Sequence, residues 1–137
     1  LTVFNDELYF EADDGTNGYE LWKYDGTNAP SMVADIWSGS GSSFPDYLTV
    51  FNNELYFNAY DGTNGAELWM YDGFNAPSMV ADIWSGSSGS YPSDLNVFNN
   101  EIYFAASNGI SGYELWKYAQ QTTIMYAWLS YKDSMAV

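Results

Sequence analysis

The sequence contains no cysteine and no histidine, and its only basic residues are three lysines. Without cysteine there is no disulfide and no zinc–thiolate site, and without either residue the usual nucleophile–base pairs are missing. Eighteen acidic residues give a net charge of −15, which repels nucleic-acid phosphates and anionic membrane surfaces. Apolar runs are too short to span a membrane. We therefore expect no catalysis, no nucleic-acid partner and no membrane span.

The main feature of the sequence is an internal repeat. Residues 1–47 and 48–94 agree at 36 of 47 positions, and a third unit, 95–137, follows the same pattern until Tyr118. Over residues 119–137 the third unit diverges. We predict three repeats with these boundaries, within a segment of a longer protein.

Each repeat contains four short stretches rich in Val, Ile, Tyr, Phe and Trp; in the first repeat they read LTVF, ELYFEA, YELWKY and SMVADIW. Such stretches predict strands, and the Gly, Asn, Asp and Pro between them predict turns. The pairs Asn5-Asp6, Asn52-Asn53 and Asn99-Asn100 predict two-residue hairpin turns.

The predicted strands are apolar on both faces, so both faces of each sheet need a cover. Four strands in a repeat of this length are typical of a β-propeller blade. Because propellers close with four to eight blades, about three blades would form an incomplete ring. The predicted fold is therefore all-β, with β-propeller-type four-stranded blades and two uncovered ends.

Three motifs occur in order: LTVFNDELYF at 1–10, DGTNG at 14–18 and 61–65, and ELWKYDGT at 20–27. Together they resemble the ELWxxDGT repeats of large secreted or surface proteins of bacteria, and the resemblance covers residues 1–118. The segment VADIWSGS at 33–40 stands where that family has VxDIxPGS. The resemblance implies propeller-like blades in an extracellular or cell-surface protein, without catalytic residues.

Aromatic residues that recur in every repeat are predicted to pack the blade cores. They are Trp22, Trp69, Trp116, Tyr9, Tyr56 and Tyr103. An alternative is carbohydrate binding, in which sugars stack on exposed aromatic rings beside Asp or Asn. The repeats differ at Tyr19 against Ala66 and at Asp13 against Tyr60, and we expect such positions to be exposed.

Calcium is the alternative ligand, because hard cations prefer oxygen donors. Candidate donors in the DGTNG turns are Asp14, Thr16, Asn17, Asp61, Thr63 and Asn64. Glycine-rich turns use the same residues without metal, and the spacing is not that of an EF-hand. No other cofactor is expected. Asp35 and Asp82 are predicted to be partly buried and to accept backbone hydrogen bonds.

The divergent tail has three interpretations. Shifted by 47 residues, TIMYAWL at 123–129 aligns with APSMVAD, so it can form the fourth strand of its own blade. Alternatively, it adds as a strand to a neighbouring molecule, since IMYAWLSY lacks charge, Pro and Gly. Candidates for that intermolecular strand are Ile124, Tyr126, Trp128 and Leu129. The third interpretation is that the tail does not fold.

These observations predict a structural or adhesive repeat protein outside the cell, which associates through blade faces and strand edges into an oligomer or filament. Its partners would be copies of itself or further repeats of a longer chain. The alternative is a carbohydrate- or calcium-dependent binding module with a glycan partner.

Overall fold

The computed structural model describes residues 1–119 and 125–128. In this part of the chain the fold is all-β, as predicted, with three four-stranded antiparallel sheets and no helix. Sheet 1 contains β1 (Thr2–Phe4), β2 (Glu7–Asp13), β3 (Tyr19–Tyr24) and β4 (Ser31–Ala34). Sheet 2 contains β5 (Asp46–Phe51), β6 (Glu54–Tyr60), β7 (Ala66–Tyr71) and β8 (Ser78–Ala81). Sheet 3 contains β9 (Ser93–Phe98), β10 (Glu101–Ser107), β11 (Tyr113–Tyr118) and β12 (Met125–Trp128). In every sheet, strands that follow one another in sequence are neighbours.

The predicted hairpin turns are confirmed. Asn5 and Asp6 have φ angles of 51° and 61°, and both later Asn-Asn pairs have similar values. A type I′ turn needs positive φ at both central residues, and Asn and Asp tolerate this conformation better than other non-glycine residues. The turn between β1 and β2 therefore pairs Phe4 with Glu7 and fixes the register of that hairpin.

Each sheet has two apolar faces, which the register defines. On sheet 1, Tyr9 and Leu21 share one side, which we call the forward face. Phe10 lies opposite Trp22 on the other side, which we call the rear face. The same positions, 47 and 94 residues later, define the forward and rear faces of sheets 2 and 3.

Two hydrophobic cores join the sheets, each between a forward face and the next rear face. The first joins sheet 1 to sheet 2 and contains Phe4, Tyr9, Leu21, Leu55, Phe57, Ala59, Trp69 and Tyr71. The second joins sheet 2 to sheet 3 and contains Phe51, Tyr56, Leu68, Leu95, Ile102, Phe104, Ala106 and Trp116. Sheet 2 is therefore covered on both sides, as the two-sided apolar pattern requires.

The first strands of successive sheets are also linked by hydrogen bonds. Thr2 Oγ1 donates to the Leu48 carbonyl at 3.0 Å, and Thr49 Oγ1 donates to the Leu95 carbonyl at 3.2 Å. Successive sheets thus contact each other in the same way, 47 residues apart.

The fourth strand of sheet 1 is shorter than the sequence predicts. The stretch SMVADIW covers residues 31–37, but β4 ends at Ala34. Beyond that point, the N–H groups of Ile36 and Trp37 donate to the carboxylate of Glu20 instead of joining a strand. A buried side chain therefore ends this strand.

In the tail, β12 pairs with β11 of the same chain, with Tyr126 opposite Lys117 and Trp128 opposite Leu115. The structure thus places these two candidates for an intermolecular strand in the fourth strand of their own sheet, the first of the three interpretations. Ile124 and Leu129 lie outside the described residues.

Candidate functional site

A buried glutamate fixes the connection from sheet 1 to sheet 2. Glu20 lies on β3 and is fully buried. Its carboxylate accepts hydrogen bonds from the N–H groups of Ile36 and Trp37, at 3.0 and 3.3 Å. It also accepts from the N–H of Ser43 at 3.2 Å and from the Ser43 hydroxyl. Four donors make burial of this acidic group tolerable and set the path of the connecting segment.

Glu67 forms the same arrangement between sheets 2 and 3. Its carboxylate accepts from Ile83 N–H at 3.0 Å and from both the N–H and the hydroxyl of Ser90. Burial raises the pKa of Glu67, and the hydrogen bonds from Ser90 and Ile83 oppose that rise. Glu114, at the same motif position in sheet 3, is only partly buried.

Sequence reasoning missed these glutamates and singled out Asp35 and Asp82 instead. Those two are partly buried and accept backbone hydrogen bonds as predicted, Asp35 from Gly39 at 3.0 Å and Asp82 from Gly86 at 3.3 Å. The missed signal was an acidic residue that stands directly before Leu-Trp in all three repeats.

In both connecting segments, a tryptophan packs against a glycine of the next sheet. The indole of Trp37 packs so close to Gly62 that a Cβ there would lie 2.3 Å from Nε1. The Tyr60 ring meets the same indole edge-on, with centroids 4.6 Å apart. Trp84 meets Gly109 in the same way, with a Cβ position 2.3 Å from the indole ring. Each glycine is therefore needed for close packing between sheets.

The residues predicted as calcium donors lie in the turns after β2 and β6. Asp14 accepts backbone hydrogen bonds from Thr16 and Asn17, both at 2.8 Å, and a third from the Asn17 side chain. Asp61 is bonded in the same way by Thr63 and Asn64. These bonds lower the pKa of both carboxyl groups. The structure thus brings the six residues together as two separate turns, and the described residues contain no metal-type cluster of three or more acidic side chains.

The predicted core aromatics lie in the sheets, but their burial depends on the repeat. Tyr9, Tyr56, Trp69 and Trp116 are buried. Trp22 and Tyr103 are only partly buried. The two exceptions lie on the first and last sheets, on the faces that no other sheet covers in the described part of the chain.

The forward face of sheet 3 is open. Leu21 and Leu68 are 0% exposed, whereas the equivalent Leu115 is 49% exposed. Phe4 and Phe51 are 2% and 4% exposed, whereas the equivalent Phe98 is 61% exposed. The side chains are the same, so the difference arises from the absence of a following sheet in the described part of the chain.

The rear face of sheet 1 is the complementary open surface. Leu55, Phe57 and Trp69 are buried on sheet 2, whereas the equivalent Leu8, Phe10 and Trp22 are all partly exposed. The glycine turn of this sheet is open as well. A Cβ at Gly15 would meet no atom within 4 Å, unlike Gly62 at the same position in sheet 2.

On the forward faces of sheets 1 and 2, a tyrosine contacts a tyrosine of the next sheet. Tyr9 meets Tyr71 of the next sheet at a centroid distance of 6.0 Å, and Tyr56 meets Tyr118 at 5.6 Å. On sheet 3, Tyr103 contacts Phe98, at 5.9 Å. The residue equivalent to Tyr71 and Tyr118 is Tyr24, at the other end of the molecule.

Within the described residues, no helix is long and apolar enough to cross a membrane. Comparisons with protein-family models, curated proteins and solved structures give no match. The resemblance to ELWxxDGT repeats therefore stays a prediction that depends on the motifs alone.

Proposed function

We propose that this chain is a non-catalytic structural or adhesive repeat protein of the extracellular or cell-surface space, built from propeller-type blades. In this proposal the forward face of sheet 3 binds the rear face of sheet 1 in a second copy or in a further repeat. Head-to-tail contacts of this kind produce a closed ring or an open filament.

The observation that carries the proposal is the difference in exposure between equivalent residues. Leu115 and Phe98 are 49% and 61% exposed, and their counterparts in sheets 1 and 2 are almost completely buried. Large apolar patches of this kind are typical of interaction surfaces.

The two open faces also complement each other. Sheet 2 presents Leu55, Phe57 and Trp69 to the forward face of sheet 1, and sheet 1 carries Leu8, Phe10 and Trp22 at the same positions. A second copy of sheet 1 can therefore repeat on sheet 3 the packing already present twice in the chain. Burial of several hundred Å² of apolar surface would contribute on the order of 10 kcal/mol before the entropic cost of association.

The experiment is to measure the mass of the purified chain by sedimentation over a range of concentrations. The mass of the original chain should increase with concentration, and Leu115→Lys should reduce association by placing a charge on the open forward face. Ile110→Lys is the matched control, because Ile110 is 89% exposed but lies in the turn before β11. It should associate like the original chain.

A mixing experiment tests the head-to-tail geometry. Leu115→Lys leaves the rear face of sheet 1 intact, so this variant should bind one end of an assembly and stop its growth. Adding it to the original chain should shorten the assemblies, whereas Ile110→Lys should not. A single-chain mass at every concentration, or equal association of Leu115→Lys, would exclude the proposal.

A further inference from the structure

A cavity of about 440 Å³ lies between sheets 1 and 2 and the segment that leads to sheet 3. Its volume is in the range of small-molecule sites. Its principal side chains are three polar ones, Glu11, Asp46 and Asn58, and three aromatic ones, Phe44, Tyr60 and Tyr91. The described lining residues include none of the open-face residues, so the cavity is separate from the surfaces proposed for association.

The polar side of the cavity offers hydrogen-bond acceptors and negative charge. Partial burial raises the pKa of Glu11, and the nearby negative charge of Asp46 raises it further. Asn58 lies opposite Asp46 in the β5–β6 register. Its side-chain Oδ1 is buried and has no hydrogen-bond partner among the described residues. None of the described lining residues is basic, so a ligand would have to supply donors and positive charge.

The aromatic side is held in a fixed conformation. Phe44 and Tyr91 have φ angles of 49° and 50°, in the left-handed region that bulky residues rarely adopt. Their N–H groups donate to the carbonyls of Tyr19 and Ala66, at 3.2 and 3.0 Å. The Phe44 ring stacks on Tyr19. Both rings nevertheless stay more than half exposed, and strained residues of this kind are often found at binding sites.

The cavity is also where the first two repeats have diverged. These repeats differ at 11 of 47 positions, and seven of the ten lining residues stand at five of those positions. Those seven are Glu11, Phe44, Asp46, Asn58, Tyr60, Ala66 and Tyr91. At the next repeat junction, Asn58 and Ser93 replace the two carboxylates, so the acidic pair occurs only once. Almost half of the positions at which the two repeats differ therefore contribute to this one cavity.

We propose that this cavity binds an organic cation, an ammonium or guanidinium group on a short apolar stem. Its N–H groups donate to Glu11, Asp46 and the side-chain oxygen of Asn58, and its stem lies against the rings of Phe44 and Tyr91. A neutral sugar satisfies the acceptors but leaves the two carboxylates repelling each other. A bare metal ion makes no use of the rings.

The binding test uses the full chain and isothermal titration calorimetry. n-Butylguanidinium and n-butylammonium should bind saturably, and 1-butanol, which has the same stem without charge, should bind at least about tenfold more weakly. Butyrate should not bind. Acetyl-arginine amide and glucosamine then show whether the natural cation is a protein side chain or an amino sugar. Tighter binding of either one supports the proposal that the cavity binds an organic cation.

The substitutions that test the cavity are chosen from residues that another repeat of this chain already contains. Glu11→Asn and Asp46→Ser introduce the residues found 47 positions later, in a repeat that folds with them. Each should weaken n-butylguanidinium binding by about tenfold, and the double variant should bind none detectably. Asp6→Asn is the control, because it removes the same charge from an exposed turn outside the cavity and should leave the affinity unchanged.

Three results would overturn the proposal. They are equal binding of 1-butanol, unchanged affinity of a double variant whose melting curve proves it folded, and saturable binding of glucose or Ca²⁺ without binding of the cations. Because this site lies within one chain, its failure would leave the association experiment unaffected.

Discussion

Replacing Gly62 by alanine tests the packing of Trp37, in the segment between sheets 1 and 2, against sheet 2. Gly15 supplies a matched control. The two glycines have φ angles of 83° and 82°, so alanine adds the same backbone strain at both. Only at Gly62 does the new Cβ collide with an indole, 2.3 Å from Trp37 Nε1. Overpacking typically costs about 1–3 kcal/mol, and loss of an aromatic pair adds about 0.5–1.5 kcal/mol. Gly62→Ala should therefore destabilise the chain by about 2–4 kcal/mol more than Gly15→Ala.

Urea denaturation followed by circular dichroism gives the free energy of unfolding for each variant, at a concentration where association is absent. Gly109→Ala serves as a replicate, because its Cβ would lie 2.3 Å from the Trp84 ring and its φ angle is 81°. Equal destabilisation by the Gly15 and Gly62 substitutions would refute the reasoning, since backbone strain alone would then explain both.

Three further predictions concern stability. In urea denaturation, Leu68→Ala should lower the free energy of unfolding by about 2–5 kcal/mol and Leu115→Ala by less than about 1 kcal/mol, because only Leu68 is fully buried. Similar losses for the two variants would contradict the open forward face of sheet 3. Glu67→Ala should lower the free energy of unfolding by about 3 kcal/mol or more, because it leaves buried donors without an acceptor. The same change at the partly buried Glu114 should lower it less, and thermal melting of both variants measures the difference. Hydrogen bonds lower the pKa of Asp25 from 3.8 to about 2. Its stabilising contribution should therefore be present above about pH 4 and lost as the pH falls towards 2, and an Asp25→Asn variant should have a flatter stability profile over that range.

Much of the fold could be predicted from local chemistry. The Asn-Asp and Asn-Asn pairs specify hairpin turns because their residues accept positive φ, and the turns then set the register of the flanking strands. Apolar residues on both sides of YELWKY predict sheets that are covered on both faces. Among the described residues this holds for sheet 2 alone, whereas sheets 1 and 3 are each covered on one face.

The buried glutamates could not be predicted from their own sequence neighbours. An acidic residue in a strand is usually exposed, and burial of Glu20 depends on donors 16 to 23 residues further along the chain. The same limit applies to the cavity, because Glu11 and Asp46 meet only after sheets 1 and 2 have packed together.

Exposure of the end faces depends on position in the stack rather than on local sequence. Leu21 and Leu115 occupy the same ELW motif, yet one is buried and the other half exposed. No analysis of a single repeat distinguishes them, since the difference lies in whether another sheet follows.

Glu20 and Glu67 each tie their own sheet to the connecting segment that follows, so both complete 47-residue repeats carry a connecting segment and the side chain that anchors it. Duplication of one such unit inside the gene would insert a complete module, with its glutamate, serine, tryptophan and glycine turn already matched to both neighbours. The array could then lengthen in whole steps without compensating changes elsewhere. Near-identity of the first two copies is what recent growth by such a step would leave behind.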